Sequence, residues 1–352
     1  MEARDLARKL MRRGGQASNP PKLSFGSWDD FPGQDDQVVQ ICHPDWRGVR
    51  TAAYAFRSPV VECDDLDVWG ESLLSGIRSA GIGIVVVQGW PPGAPSFVRA
   101  ADSAGIRVKC VLHSSPAQHG AEAAEAAVAD DVLGLAASGV LAEVGMVKKG
   151  LGEAFRAAGH AVTHVPNRAP QLPTLERIDL GPGLHVGVFA ESFWRKNVVT
   201  QLLAVGLLDD AVGHVMRKPL VHYLSGIRMV EHGDLPWERF MAIQASVDLN
   251  LYVTLSECHP LLPIESYLLG VPCLLSRTSG LFREDGELWD LTTVDRLDEP
   301  TAIAEAAHSL LARKEEAVVR ARTWIAAADL KAKQTWEEFV THGDASASAS
   351  RR

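Results

Sequence analysis

The run from Gly81 to Gln88 constrains this chain more than any other stretch. Ile82, Ile84, Val85, Val86 and Val87 leave it without a polar face. A strand with one wet face alternates apolar and polar residues; one that is apolar throughout belongs in a parallel sheet covered by helices on both sides. The surrounding sequence repeats that logic. Val38 to Cys42, Ile106 to His113, Gly139 to Val144 and Ala161 to Val165 read as strands. Between them Gly48 to Phe56, Ala94 to Ala104, Ala121 to Ala137 and Lys148 to Ala158 read as helices. Strands alternating with helices of this length predict a parallel α/β sheet.

The alternation breaks where Pro166-Asn167-Arg168-Ala169-Pro170 and Gly181-Pro182-Gly183 bracket a polar stretch without periodicity, which reads as a linker. It then restarts. Strands are expected at Leu184 to Phe189, near Val221 and Met229, at Asp248 to Leu255 and at Val271 to Ser276. Helices are expected at Asn197 to Leu208, Trp237 to Ala245, Pro263 to Leu269 and along Thr301 to Val340. The reading gives an N-terminal extension over 1–37, a Rossmann-like domain over 38–170 and a second over 171–335. Residues 336–352 are expected to hold the end of the last helix and a disordered Ala/Ser tail. In doubly wound folds ligands collect at the carboxyl ends of strands, so a cleft between the two domains is the expected site.

Charge narrows the function classes. With 35 Lys and Arg against 44 Asp and Glu, the net charge is −9, which argues against a broad cationic nucleic-acid surface. Cys42, Cys63, Cys110, Cys258 and Cys273 show no CxxC spacing and lie mostly in apolar segments, so they read as buried small hydrophobes. The longest membrane-span candidate, Val132 to Ala142, is too short and is broken by glycines and a serine. Ala3 to Arg13 is basic and faintly amphipathic but lacks a signal-peptide core, which allows at most weak contact with a membrane surface. The expected location is cytoplasmic.

Residues 254 to 276, TLSECHPLLPIESYLLGVPCLLS, carry the chemistry. A strand ends at Leu255 with Glu257 just beyond it. A loop leads into a helix that Pro263 is expected to open, with Glu265 in its first turn and Gly270 after its end. The amides of His259, Leu261 and Leu262, at a helix N-terminus, suit a phosphate or diphosphate. Glu257 and Glu265 suit hydroxyl pairs of a sugar or ribose. The competing reading is that Glu265 complements the helix dipole and Glu257 is solvated.

The pattern S-E-x-x-x-L-x-P-x-E-x-x-x-x-G-x-P over Ser256 to Pro272 resembles the donor-binding signature of retaining GT-B glycosyltransferases, the group that includes glycosyltransferase family four. Met229 to Glu257 resembles the strand, helix and strand that precede that signature, and TSGLFREDGELW from Thr278 resembles the glycine-rich stretch beyond it. Lys333 to Phe339 resembles a late W-e-x-x-F segment that crosses back onto the first domain. The resemblance covers nearly all of residues 184 to 340 and fades over the first 170. It implies a GT-B fold with two Rossmann-like domains facing a central cleft, and a nucleoside-diphosphate sugar as donor substrate, with no cofactor or metal. Glu257 would contact the transferred sugar and Glu265 the ribose, with the amides of His259, Leu261 and Leu262 against sugar and diphosphate. Relatives place an Arg and a Lys after the first strand of this domain. Here Lys196 falls on the Lys position, Glu191 stands where the Arg would be, and Arg195 is the neighbouring cation able to replace it.

In the first domain, Arg47 and Gly48 follow the first strand, where a glycine at the strand-to-helix turn lets backbone approach a ligand. His113 ends a later strand and resembles a histidine that relatives place beside the reacting sugar; a structural hydrogen-bonding role is the alternative. Asp65-Leu66-Asp67 is not read as a metal-binding DxD, because it does not follow a strand in the required way. No protein nucleophile stands out, which favours front-face transfer. Trp46, Trp69 and Trp90 could serve a carbohydrate, a small metabolite, a lipid-linked sugar or a modified nucleobase as acceptor. The rival functions are a sugar-nucleotide epimerase, a phosphorylase, and a non-catalytic sugar-nucleotide-binding subunit.

Overall fold

The computed structural model describes residues 19–31 and 38–341. The basic segment Ala3 to Arg13 and the Ala/Ser tail lie outside these residues. The chain divides into two compact units, one holding residues up to Asn167 together with those from Ala332 onward, the other Arg168 to Lys331.

In the first unit seven strands of the described residues form one sheet in the order β1-β3-β2-β4-β5-β6-β7. They are β1 (Lys22–Leu23), β2 (Val38–Cys42), β3 (Val60–Glu62), β4 (Ile84–Gln88), β5 (Arg107–Leu112), β6 (Glu143–Met146) and β7 (Val162–His164). All pairs are parallel except β1 with β3. β4 lies in the interior of this sheet, and all five of its residues are buried, as its composition requires. Part of the N-terminal stretch belongs to this unit as well. Phe25, Trp28 and Phe31 pack against its core, and the Trp28 indole lies so close on Gly76 that a Cβ there would overlap it at 2.2 Å.

The interval 57–80, to which periodicity assigns nothing, holds β3 and the helix Leu66–Ser79. A three-residue strand is too short to show a period. Asp65-Leu66-Asp67 therefore does come shortly after a strand, and its geometry is that of a helix cap: the Asp65 carboxylate accepts from the Asp67 and Val68 amides. No group of three or more His, Cys, Asp or Glu among the described residues could hold a metal ion. All five cysteines are buried and free.

In the second unit six strands of the described residues run parallel in the order β10-β9-β8-β11-β12-β13. They are β8 (Leu184–Val188), β9 (Ala211–Val215), β10 (Met229–Glu231), β11 (Leu249–Tyr252), β12 (Cys273–Ser276) and β13 (Thr293–Val294). The strand expected near Val221 is instead a 3-10 turn, His222–Leu224, where the Val221 amide has folded back onto the Pro219 carbonyl. β9 escapes sequence reading because Gly213 and His214 dilute its apolar signal. The expected helical stretch to Val340 is two helices, Pro300–Ala312 and Lys314–Thr341, parted at Arg313. The stretch read as a linker has no helix or strand, yet from Arg168 onward it is strapped to this unit. Arg168 forms a two-pronged pair with Asp329, which also accepts from the Ala169 amide, and Leu172, Leu175, Ile178 and Leu180 pack on the core. No helix of the described residues is long and apolar enough to cross a membrane.

Candidate functional site

The strand order of the second sheet turns at β8, from which β9 lies on one side and β11 on the other. Ligands of open α/β sheets sit outside the carboxyl ends at such a point. β8 is followed there by a loop and a 3-10 turn, Trp194–Lys196, ending at Asn197 with φ +54°. The turn is fastened to the end of β11 by buried Gln201. Its amide donates to the Lys196 and Asn197 carbonyls and its oxygen accepts the Val253 N–H at 2.9 Å. Asn197 adds a bond to the Val253 carbonyl, and the Leu255 amide donates to the Arg195 carbonyl at 2.8 Å.

This framework brings three of the sequence-predicted residues onto one point. Glu257 Oε1 accepts from Arg195 Nη1 at 3.1 Å, from Lys196 Nζ, and from the Tyr252 hydroxyl at 3.0 Å. Lys196 Nζ also donates to the Tyr252 hydroxyl at 2.6 Å and lies 4.9 Å from its ring centre. The side chains are 8% (Glu257), 14% (Lys196) and 19% (Arg195) exposed, so water screens them little. Burial, with the neighbouring Arg195, draws the Lys196 ammonium below its ordinary pKa, while Glu257 opposes that shift. Burial beside Glu257 holds the Tyr252 phenol well above its usual range. The solvated reading of Glu257 is thereby excluded. So is an ordinary exposed helix start for Arg195 and Lys196, since the next helix begins only at Val198. Glu191, at the position of the expected Arg, is exposed.

The helix after β11 spans Leu261–Leu269, so it opens two residues earlier than Pro263. Leu261 and Leu262 are then its first two residues, whose amides have no acceptor within the helix, and Pro263 supplies no N–H at the third position. Glu265 moves to the fifth position, out of the first turn, and is 6% exposed, so the dipole does not account for it. His259 lies half-buried in the loop between Glu257 and this helix. Gly270 takes φ +85° to end the helix, a conformation an alanine adopts only under strain. The TSGLFREDGELW stretch places Asp285 as cap of the helix Gly286–Thr292, with its carboxylate held by Arg320, whose guanidinium pulls the Asp285 carboxyl below the usual range.

The remaining expected residues lie in the first unit. Its helix begins at Arg47, so Gly48 is the second residue of that helix and not a strand-to-helix turn; a Cβ there would meet nothing within 4 Å. Arg47 is half-buried, and Trp46 stacks on His43 at 4.8 Å while covering Gly89 at the end of β4. His113 stands past the end of β5. Gln40 anchors its amide on the Ala53 carbonyl, Gln88 donates to the Gln40 oxygen at 2.8 Å, and the Gln88 oxygen bonds His113 Nε2 at 2.9 Å. That oxygen can only accept, so Nε2 carries the proton and Nδ1 is left as an acceptor. Burial pushes the His113 pKa down to about 4, which keeps the ring neutral near pH 7. Tyr252, Gln201 and the Gln40–Gln88 pair were missed by sequence reading. Their signal was faint: a polar residue within or at the end of an otherwise apolar strand or helix.

Neither a family model nor a curated protein sequence matches the chain. Solved structures do resemble it in fold. A sucrose-phosphate synthase from Thermosynechococcus elongatus is 12% identical with a TM-score of 0.61, covering 87% of this chain and 100% of its own. A UDP-forming trehalose-phosphate synthase from Burkholderia xenovorans is 10% identical with a TM-score of 0.59, covering 87% and 99%. A trehalose-6-phosphate synthase studied for glycosyl transfer with retention is 11% identical with a TM-score of 0.57, covering 87% and 98%. These are two-domain α/β glycosyltransferases of the GT-B type, and the fold of this chain is of that type.

Proposed function

We propose that this chain transfers a sugar, with retention of configuration and without a catalytic metal, from a nucleoside-diphosphate sugar to an acceptor hydroxyl. The observation that carries the proposal is the convergence of Arg195 and Lys196 on Glu257 at the carboxyl edge of β8 and β11, the edge after which the helix Leu261–Leu269 opens. Two half-buried cations and a helix N-terminus suit a departing diphosphate, on which negative charge grows as the bond to the sugar breaks. Glu257 balances those cations in the structure; a diphosphate arriving there takes over as their partner and leaves the carboxylate, still held by Tyr252, to accept from a sugar hydroxyl. In the transfer the bond from C1 to the phosphate oxygen breaks, with its electron pair leaving on the diphosphate. The acceptor oxygen bonds C1 from the same face, and its proton passes to the departing phosphate.

The motif resemblance is to glycosyltransferase family four, whereas the structural neighbours are named for making sugar phosphates, and one is described as UDP-forming. We take a UDP-sugar as donor and a sugar phosphate as the acceptor class, with a soluble, cytoplasmic setting. Glu265 is assigned to the donor ribose. Replacing Glu265 with Ala is expected to weaken UDP binding about tenfold, as a lost charged hydrogen bond to a hydroxyl pair would. Calorimetry with wild type and variant checks this, and unchanged affinity would remove the assignment.

A further inference from the structure

Three histidines form a hydrogen-bonded diagonal across the second sheet. His185 Nε2 is 3.1 Å from the Gly181 carbonyl, His185 Nδ1 is 2.9 Å from His214 Nε2, and His214 Nδ1 is 2.9 Å from His232 Nε2. The register explains the line. Gly187 of β8 lies opposite His214 of β9, which lies opposite Val230 of β10. Each step to the next strand therefore climbs two residues on one face, from His185 near the start of β8 to His232 just past the end of β10. His185 and His214 are buried, and the planes of the His214 and His232 rings are nearly parallel, at 16°.

The chain of bonds has one polarity. A carbonyl only accepts, so His185 holds its proton on Nε2 and accepts at Nδ1. His214 must then donate from Nε2 and accept at Nδ1, and His232 must donate from Nε2. Neutral rings complete this pattern, and burial together with the two neighbouring imidazoles pushes the His214 pKa down to about 4. The last atom of the line, His232 Nδ1, is thereby left with a lone pair directed away from His214.

The same register places that atom. Asn250 of β11 lies opposite Gly187, so Tyr252, Phe189 and His232 stand two residues further on in one row along the carboxyl edge, on the same face of the sheet. The rings of Phe189 and His232 are 6.4 Å apart. From β11 to β10 is three strand spacings, roughly 14 Å, which is the reach of an extended nucleoside diphosphate. A diphosphate on Lys196 beside Tyr252, extended along this row past Phe189, brings its base to His232.

We infer that His232 selects the base of the donor, its Nδ1 held as an obligate acceptor by His214 and His185, so that a base with a ring N–H at the facing position is taken and one with a ring lone pair there is refused. Uracil carries N3–H; cytosine presents a bare N3 of nearly the same shape. The inference rests on the sugar-nucleotide reading above. His214 and His185 are positioning residues that never touch the ligand.

Calorimetry of the full chain with UDP and with CDP tests it. UDP is expected to bind at least about tenfold tighter, since opposing lone pairs leave two acceptors unsatisfied. His214→Leu frees the His232 ring to exchange its tautomer, and the preference should shrink to about threefold or less. His214→Gln, whose amide can donate to His185 and accept from His232, should restore it. Nitrogen-15 spectra of the wild type should show His232 protonated at Nε2 and bare at Nδ1, whether or not the leucine variant folds. Equal binding of UDP and CDP by wild type, or a proton on His232 Nδ1, would overturn the assignment alone. Binding of neither nucleotide would overturn the sugar-nucleotide reading, and this assignment with it.

Discussion

Glu257 is the residue on which the site's electrostatics turn, because one carboxylate oxygen meets two cations and a phenol. Removing a largely buried charge from such a group leaves its partners uncompensated. Glu257→Gln is therefore expected to cost about 3 kcal/mol of stability. Added UDP should restore more of the melting temperature in the variant than it adds to wild type, because the diphosphate supplies the missing charge; a thermal melt with and without UDP reads both. Two buried imidazoles, His113 and His214, impose a second dependence. Each has its folded pKa lowered to about 4 from 6.5, so the unfolded chain takes up the proton first as the pH falls. Their contribution is complete above the unfolded value and is lost between roughly pH 6.5 and 4, at up to about 1.4 kcal/mol per pH unit each. Denaturant titrations across that window should show stability falling with acidity, and replacing His214 with Gln should flatten the slope.

Turns rather than strands position the chemistry. The 3-10 turn Trp194–Lys196 is no part of the sheet and is held to the end of β11 by the buried Gln201 amide, by Asn197 and by the Leu255 N–H. Gln201→Leu keeps the volume but leaves the Val253 N–H without its acceptor, for an expected loss of about 2 kcal/mol. Donor affinity should fall as the turn loosens, and calorimetry beside a thermal melt separates the two effects. The motif resemblance singled out Arg195, Lys196 and Glu257 from two short stretches of sequence, and the fold sets them on one point. The helix opening at Leu261 was not legible, because a proline inside the first turn looks the same from sequence as one at its start. Nor was Tyr252 legible: in a run reading LNLYVTL it passes for an ordinary apolar strand residue, and only the fold shows its hydroxyl between Lys196 and Glu257. β9 was lost for the opposite reason, since a histidine inside a strand reads as a break until the other two histidines are seen beside it.

Both sheets use one device, in units that share little sequence. Gln40, Gln88 and His113 climb the first sheet as His185, His214 and His232 climb the second, two residues per strand toward the carboxyl edge. Each line ends in a neutral imidazole with an acceptor at its tip. The parallel-sheet alternation was plain in the sequence, because buried strands must be apolar; these polar diagonals depend on register, which composition does not carry. The last helix also joins distant parts of the chain. Its end belongs to the first unit, where Trp336 stacks on Phe56 at 4.0 Å and buried Lys109 donates to the Phe339 carbonyl. Trp336→Ala should cost the first unit about 3–5 kcal/mol. In calorimetric unfolding it should move that unit's transition while UDP binding to the second persists.

The central claim is transfer of a sugar from a nucleotide to an acceptor, and product analysis by NMR tests it most directly. Wild-type chain would be incubated with UDP-hexoses, a panel of sugar phosphates and excess chelator. The expected result is release of UDP that depends on acceptor, with a product whose new linkage keeps the donor's anomeric configuration. An inverted linkage, an isomerised sugar nucleotide, or UDP-sugar bound without turnover by any acceptor would contradict the account.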